Sequence, residues 1–256
     1  MIFSGLVSVT FRQLTPAQIV ALVRQAGLQG IEWGGDIHVP HGDAGRACDV
    51  RERTEGAGLR VAAYGSYYKA GVSEGAGLAF GRVLETAVTL GAPVIRVWAG
   101  GAGSAATSAE QRAAVTQDCR RIAELAAAAR IGIVLEFHSG TLTDTTESTA
   151  QLLREVAHPN LTTCWQPPVD LRPAECLAGL QSLRGQLANL HVFQWKQSTI
   201  ERLPLSAGTA VWRDYLAAAK TAAGDRYALL EFVEQDAPEA FLRDAAVLRE
   251  WLAKVN

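Results

Sequence analysis

Two glutamates occupy positions where a charge is costly. Glu136 lies between Ile133-Val134-Leu135 and Phe137, and Glu231 lies within Leu229-Leu230-Glu231-Phe232-Val233. A carboxylate buried in such a run needs an ion pair, a metal or a proton. His191, in Leu190-His191-Val192-Phe193, is embedded in the same way. A single strand histidine is ordinarily a hydrogen-bonded core residue, but three such residues in similar settings argue for a shared site. His138 follows Glu136 by two residues, so on an extended strand both face the same side while Leu135 and Phe137 face the other. Carboxylate oxygens and imidazole nitrogens suit Mn²⁺, Mg²⁺, Co²⁺ or Zn²⁺. Aromatic and polar residues accompany them: Trp33, His38, His41, Tyr64, Tyr67, Tyr68, Lys69, Trp98, Trp165, Gln166, Trp195, Lys196 and Glu234. A sugar packs its C–H face on a ring and offers its hydroxyls to polar groups. This set therefore points to a small polyhydroxylated ligand, although any one Trp could equally be packing.

The elements that must position these residues recur along the chain. Short β-rich runs cover Ile2–Val9, Gly30–Trp33, Val61–Gly65, Val94–Trp98, Gly132–Phe137, Leu161–Gln166, Leu187–Gln194 and Ala228–Val233. Their spacing of roughly thirty residues is that of one strand–helix–strand step. The helices between them are expected from Pro16 to about Gly27, Ala44–Gly58, Ala76–Leu90 and Ser108–Arg130. The rest fall over Thr146–Val156, Pro173–Leu183, Val211–Ala223 and Ala237–Lys254. Thr15-Pro16 and Ser108 with Glu110-Gln111 read as helix starts. Eight strand–helix units imply a single parallel (β/α)₈ TIM barrel over residues 1–256. An open doubly wound sheet is disfavoured, because Ser8-Val9-Thr10-Phe11-Arg12 carries no glycine fingerprint after the first strand. In a barrel, catalytic groups come from the C-terminal strand ends and the loops beyond, which is where the residues above fall. His158 belongs to the opposite end, and Arg96 is the expected buried counter-charge for Glu32.

Composition limits the alternatives. The chain has 256 residues, a formal net charge of −2, 48% hydrophobic and 20% charged residues. No basic stripe is present to suggest a nucleic acid or a membrane surface as partner. No apolar run reaches spanning length and no charged leader precedes one, so the chain reads as cytoplasmic. Cys48, Cys119, Cys164 and Cys176 are too scattered for a zinc knuckle or a disulfide framework.

At these residues the chain resembles the xylose isomerase-like TIM barrel superfamily, in its sugar phosphate isomerase/epimerase branch. The resemblance rests on Gly30-Ile31-Glu32-Trp33, Arg96-Val97-Trp98-Ala99-Gly100 and Leu135-Glu136-Phe137-His138. It continues through His191, Leu203-Pro204-Leu205-Ser206-Ala207-Gly208 ahead of Trp212, and Leu230-Glu231-Phe232. It implies a divalent metal held by Glu136, Gln166, His191 and Glu231. Gln166 is a departure, since that family usually carries Asp there, often with a His three residues on where this chain has Val169. Loss of one anionic ligand lowers the expected metal affinity.

The function that follows is a metal-dependent isomerase or epimerase. It acts through an enediolate on a small ketose or sugar-like polyol, with Glu136 and Glu231 as the acid/base pair. Trp33, His38, Tyr64, Trp98, His138, Trp165, Trp195, Lys196 and Arg202 are the expected substrate contacts. An inosose-type dehydratase would use the same site. A non-catalytic sugar-binding barrel is the reading that Gln166 supports, and a DNA-repair endonuclease is disfavoured by five histidines and an acidic chain. Barrels of this kind often pair, so a homodimer is among the expectations.

Overall fold

A computed structural model describes all of residues 1–256. Its strands are β1 (Ile2–Val7), β2 (Gly30–Gly34), β3 (Arg60–Lys69), β4 (Val94–Trp98), β5 (Gly132–Glu136), β6 (Leu161–Trp165), β7 (Leu187–Val192) and β8 (Arg226–Leu230). Its helices are α1 (Pro16–Gln25), α2 (Ala44–Gly56), α3 (Phe80–Leu90), α4 (Ala109–Ala128), α5 (Thr146–Val156), α6 (Pro173–Leu183), α7 (Thr209–Lys220) and α8 (Pro238–Val255). All strand pairs are parallel, and the sheet closes where β1 meets β8, with Ile2 opposite Arg226 and Leu6 opposite Leu230. The result is the expected (β/α)₈ barrel.

The helix starts follow the local chemistry read from the chain. Thr15 and Gln18 exchange hydrogen bonds in a capping box ahead of Pro16, and Ser108 and Gln111 do the same for α4. Gly91 ends α3 with a φ of 73°, a conformation open to glycine at little cost. The third helix begins four residues later than expected. Gly77 takes a φ of 88°, and the Glu74 side chain accepts from the Phe80 N–H, which moves the helix start to that point.

Two strands differ in length in ways that shape the site. β1 stops at Val7 because Ser8 leaves the sheet and begins a 3-10 turn. The Ser8 hydroxyl accepts from the Gly34 N–H and pairs with His38 Nδ1. β3 runs on to Lys69 instead of ending at Gly65, and its pairing with β4 shifts register after Gly65. The Ser66 hydroxyl donates to the Arg96 carbonyl there, and Tyr67 adopts a φ of 55°.

Most of the core lies between sheet and helices, in one cluster of 62 buried residues. A smaller cluster of Val7, Ala62 and Leu229 is separate from it. Val7 stands opposite Glu32 and Leu229 opposite His191, so these two side chains share the inward face with the site residues. They plug the barrel interior below a polar mouth.

Candidate active site

Strand parity selects which side chains reach the mouth. On β2, Glu32 faces inward and Trp33 outward. On β3, Gly65 is inward: a Cβ there would stand 2.7 Å from Arg96 Nη2 and 3.0 Å from Glu32 Oε1. Glycine is thus what makes room for the ion pair. Arg96, on β4, ties the floor of the site together. Its Nε donates to Glu32 Oε1 and its Nη1 to Glu136 Oε2, with all three side chains buried. The pairing with Glu32 is as expected from the sequence; the second bond, to Glu136, is not. Trp98 Nε1 donates to the same Glu136 oxygen. Burial opposes the charge on Glu32, but Arg96 and then His191 overcome it and hold the carboxyl at about 2.

His191, on β7, is the centre of a second cluster. Its Nδ1 lies 3.2 Å from Glu231 Oε2, 3.3 Å from Gln166 Oε1 and 3.7 Å from Glu136 Oε1, and its Nε2 lies 3.4 Å from Glu32 Oε2. Glu231 Oε2 is buried and makes no hydrogen bond. Three acceptor oxygens thus converge on one ring nitrogen, which can supply a single proton to one of them. Burial works against a charged His191, yet Cys164, Glu231 and Glu32 keep its proton well above the ordinary histidine range. That proton marks the place where positive charge is wanted.

The donor types gathered here are those that divalent cations take. Neighbouring donors around such an ion stand about 3 Å apart, given bonds of roughly 2.1–2.3 Å, and Nδ1 lies 3.2, 3.3 and 3.7 Å from its three oxygens. The set depends on Gln166 and on Glu136. As they stand, His, Cys, Asp and Glu side chains form no three-ligand cluster anywhere in the chain, so Glu136, His191 and Glu231 would have to shift toward a common point to bind an ion. Glu136 must also share itself between the ion and Arg96. Glu136, Gln166, His191 and Glu231 are the residues that could hold a metal.

Above them opens a cavity of about 580 Å³, within the range of small-molecule sites. Of the expected contacts, Trp98, His138 and Trp195 line it. His138 stacks on Trp98 with ring centroids 4.6 Å apart, and its Nδ1 is bonded to the Ser139 carbonyl. Six expected contacts fall elsewhere. Trp33 donates to Thr54 on α2, Tyr64 donates to the Val39 carbonyl, and Trp165 packs against Trp212 and Tyr215 on α7. All three point outward because each neighbours an inward-facing residue: Glu32, Gly65 and Gln166. His38 is buried against Ser8. Arg202 is bound to Asp236 and the Val233 carbonyl, and Lys196 is exposed and paired with Glu201 at 3.2 Å.

The cavity also recruits residues that the sequence did not single out as contacts. Arg12, Tyr67, Asp144, Asp170 and Phe232 line it. Tyr67 and Phe232 both adopt left-handed backbone, with φ of 55° and 54°, a conformation costly for a bulky residue and concentrated at functional sites. Burial raises the Tyr67 phenol, so it keeps its proton at neutral pH. Both cavity cations are already matched: Arg12 pairs with Asp36 at 2.5 Å, and Arg96 with Glu32 and Glu136.

The model of the xylose isomerase-like TIM barrel family matches residues 20–251. The chain belongs to that family. Over 67 residues it is 48% identical to the 3-dehydroshikimate dehydratase of Bacillus anthracis, a stretch that spans 26% of this chain and 24% of that protein. Among solved structures, this xylose isomerase-like barrel is similar to the probable 3-DHS dehydratase AsbF of Bacillus anthracis. The TM-score is 0.78 and the identity 22%, over 97% of this chain and 99% of the other. It is also similar to a D-allulose 3-epimerase from Methylomonas sp., with a TM-score of 0.74 and 14% identity over 100% and 98% of the two chains. At these identities the likeness is one of fold. No helix is long and apolar enough to cross a membrane.

Proposed function

We propose that this chain is a divalent-metal-dependent enzyme that removes a proton beside a carbonyl of a small, uncharged, polyhydroxylated substrate and then expels a β-hydroxyl as water. The observation that carries the choice is the inequality of the two glutamates. Glu136 Oε2 is held by Arg96 and Trp98, and its Oε1 faces His191. Glu231 escapes Arg96 and Trp98, and its one charged neighbour is His191, whose Nδ1 lies 3.2 Å from Oε2. One carboxylate outside the Arg96 ion pair suits elimination, which needs one base, better than epimerisation, which needs one on each face. Likeness to a dehydratase supports the same choice. An uncharged substrate follows from the cavity cations, each of which already has a carboxylate partner.

A metal held by Glu136, Gln166, His191 and Glu231 would supply positive charge opposite the carbonyl oxygen and so acidify the adjacent C–H. Glu231 accepts that proton. Tyr67, protonated at neutral pH, is the cavity group able to hand a proton to the departing hydroxyl, which leaves with its bonding electron pair as water. Trp98 and Trp195 offer ring faces to the substrate's C–H groups, and Arg96 keeps Glu136 in place.

Epimerisation is the second reading. It draws on the convergence of Glu136 and Glu231 on His191 and requires Glu136 to release Arg96.

The test is to incubate the Mn²⁺-loaded protein in D₂O with scyllo-inosose, D-fructose or 3-dehydroshikimate and follow each by NMR. Water loss from the inosose, abolished in Glu231→Gln and retained in part in Glu136→Gln, is the expected result. Deuterium incorporation with inversion and no water loss would favour epimerisation, and full turnover in Glu231→Gln would refute both readings.

A further inference from the structure

Beside the site cavity lies a second compartment of about 170 Å³, bounded by the loop after β6, by α6 and by α7. The two share Pro167, Pro168, Val169, Phe193 and Trp195, so they are neighbouring parts of one cleft. They differ in how many charged groups line them. The large one carries Arg96, Glu136, His138, Asp144 and Glu231 on its polar side. The small one is backed by Cys176, Val211, Trp212 and Tyr215, with Gln194, Gln197 and the Glu201-paired Lys196 elsewhere on its lining.

The polar atoms of that back wall are already used within the protein. Trp212 Nε1 donates to the Phe193 carbonyl at 3.0 Å, Tyr215 Oη to the Pro173 carbonyl at 3.2 Å, and the Cys176 thiol lies 3.8 Å from the Pro168 and Leu171 carbonyls. The back wall therefore presents carbon. A hydroxylated group placed against it would lose its water without gaining partners. The volume also points to an occupant, because an apolar cavity of about 150 Å³ accepts a benzene ring. Trp195 stands at the boundary, its ring 4.4 Å from Phe193 and 5.0 Å from Phe232, and its buried Nε1 has no acceptor in the protein. A ligand spanning both compartments would bring one.

We propose that the small compartment is a subsite for an apolar, ring-sized substituent carried by the polyhydroxylated substrate, the polyol occupying the large cavity and the aryl or branched alkyl group the small one. The proposal rests on the reading of the large cavity as a polyol site. It does not depend on turnover.

The experiment compares phenyl β-D-glucopyranoside with methyl β-D-glucopyranoside, two probes that share the sugar and differ in the substituent. Binding to the full-length, Mn²⁺-loaded protein is followed by calorimetry and by tryptophan fluorescence. Burying a phenyl ring gives an expected preference of about ten- to hundredfold for the phenyl probe. Val211→Trp fills the compartment and should erase the preference without changing methyl glucoside or Mn²⁺ binding. Val211→Asp, which adds a charge instead of bulk, should do the same if the larger replacement does not fold. Equal binding of the two probes, including no measurable binding of either, overturns the proposal. So does a preference that survives both variants. Repeating the comparison in Glu231→Gln separates this from the proposed reaction: selectivity there with turnover lost supports both, selectivity with turnover retained sinks the reaction alone, and loss of selectivity in the active wild type sinks the subsite alone.

Discussion

Asp244 on α8 offers a direct test of how burial sets charge in this barrel. Its Oδ1 accepts from the Leu205 N–H at 2.9 Å, at the start of the 3-10 turn that follows the Trp195 loop. The residue is 5% exposed. Burial pushes its carboxyl from an ordinary 3.8 up to about 6, against the opposing pull of the Leu205 N–H and Arg243. The folded protein therefore holds this proton more tightly than the unfolded chain does. Between pH 3.8 and about 6 the folded state binds more protons, so this group's contribution to stability falls as pH rises, and the loss is complete above the folded value. Raising the carboxyl from 3.8 to about 6 corresponds to at most roughly 3 kcal/mol, which solvent screening reduces. Asp244→Asn keeps a carbonyl oxygen for Leu205 and cannot ionise. Its stability should exceed that of the wild type by roughly 1–3 kcal/mol near pH 7.5, with the gap narrowing to about a third of that near pH 4.5. Urea unfolding of both proteins across this range, followed by tryptophan fluorescence, measures the gap, and taking the difference cancels the other titrating groups. A gap that stays constant with pH, or a less stable variant at pH 7.5, would refute the argument.

Other perturbations follow from the same contacts. Arg96→Met leaves Glu32 and Glu136 buried without a counter-charge and should cost about 3–5 kcal/mol in denaturant unfolding, part of it recovered in the Glu32→Gln double variant. Gln166→Glu restores an anionic donor at the same reach and should tighten Mn²⁺ binding by at least about tenfold in calorimetric titration. Trp212→Ala removes a fully buried indole and its bond to the Phe193 carbonyl. Thermal or urea unfolding should show a loss of about 3–5 kcal/mol.

Much of the fold was legible because its signals are local. Eight β-rich runs, capping residues such as Thr15 and Ser108, and a repeat near thirty residues are short-range patterns, and they describe the barrel nearly element by element. Glu136, His191 and Glu231 were legible for a related reason: a charged or polar side chain in an apolar strand is anomalous wherever the strand ends up. The same alternation would have placed Trp33, Tyr64 and Trp165 outside the mouth, since each adjoins an inward residue. Applied only to the carboxylates, it left their tryptophan and tyrosine neighbours as expected contacts. Lys196 and Arg202 were harder, because loop residues carry no periodicity and their salt-bridge partners, Glu201 and Asp236, are chosen by the path of the chain. Tyr67 was legible as a residue of the barrel mouth, but its place in the cavity wall depended on a strand that continues past Gly65 through a register shift, for which no local composition is diagnostic.

The sequence alone determined the class of fold, the end of the barrel that holds the chemistry, and the kinds of donor gathered there, because each follows from residue types at spacings of two to about thirty. Only the tertiary structure decided that Arg96 binds both Glu32 and Glu136, that Glu231 faces His191 and not Arg96, and that the cleft divides into two compartments. These depend on contacts between strands far apart in the chain, such as β1 with β8 and β2 with β7. Closure of the barrel brings such strands together, and the direction each side chain takes at that point is set by neighbours that no local stretch of sequence contains.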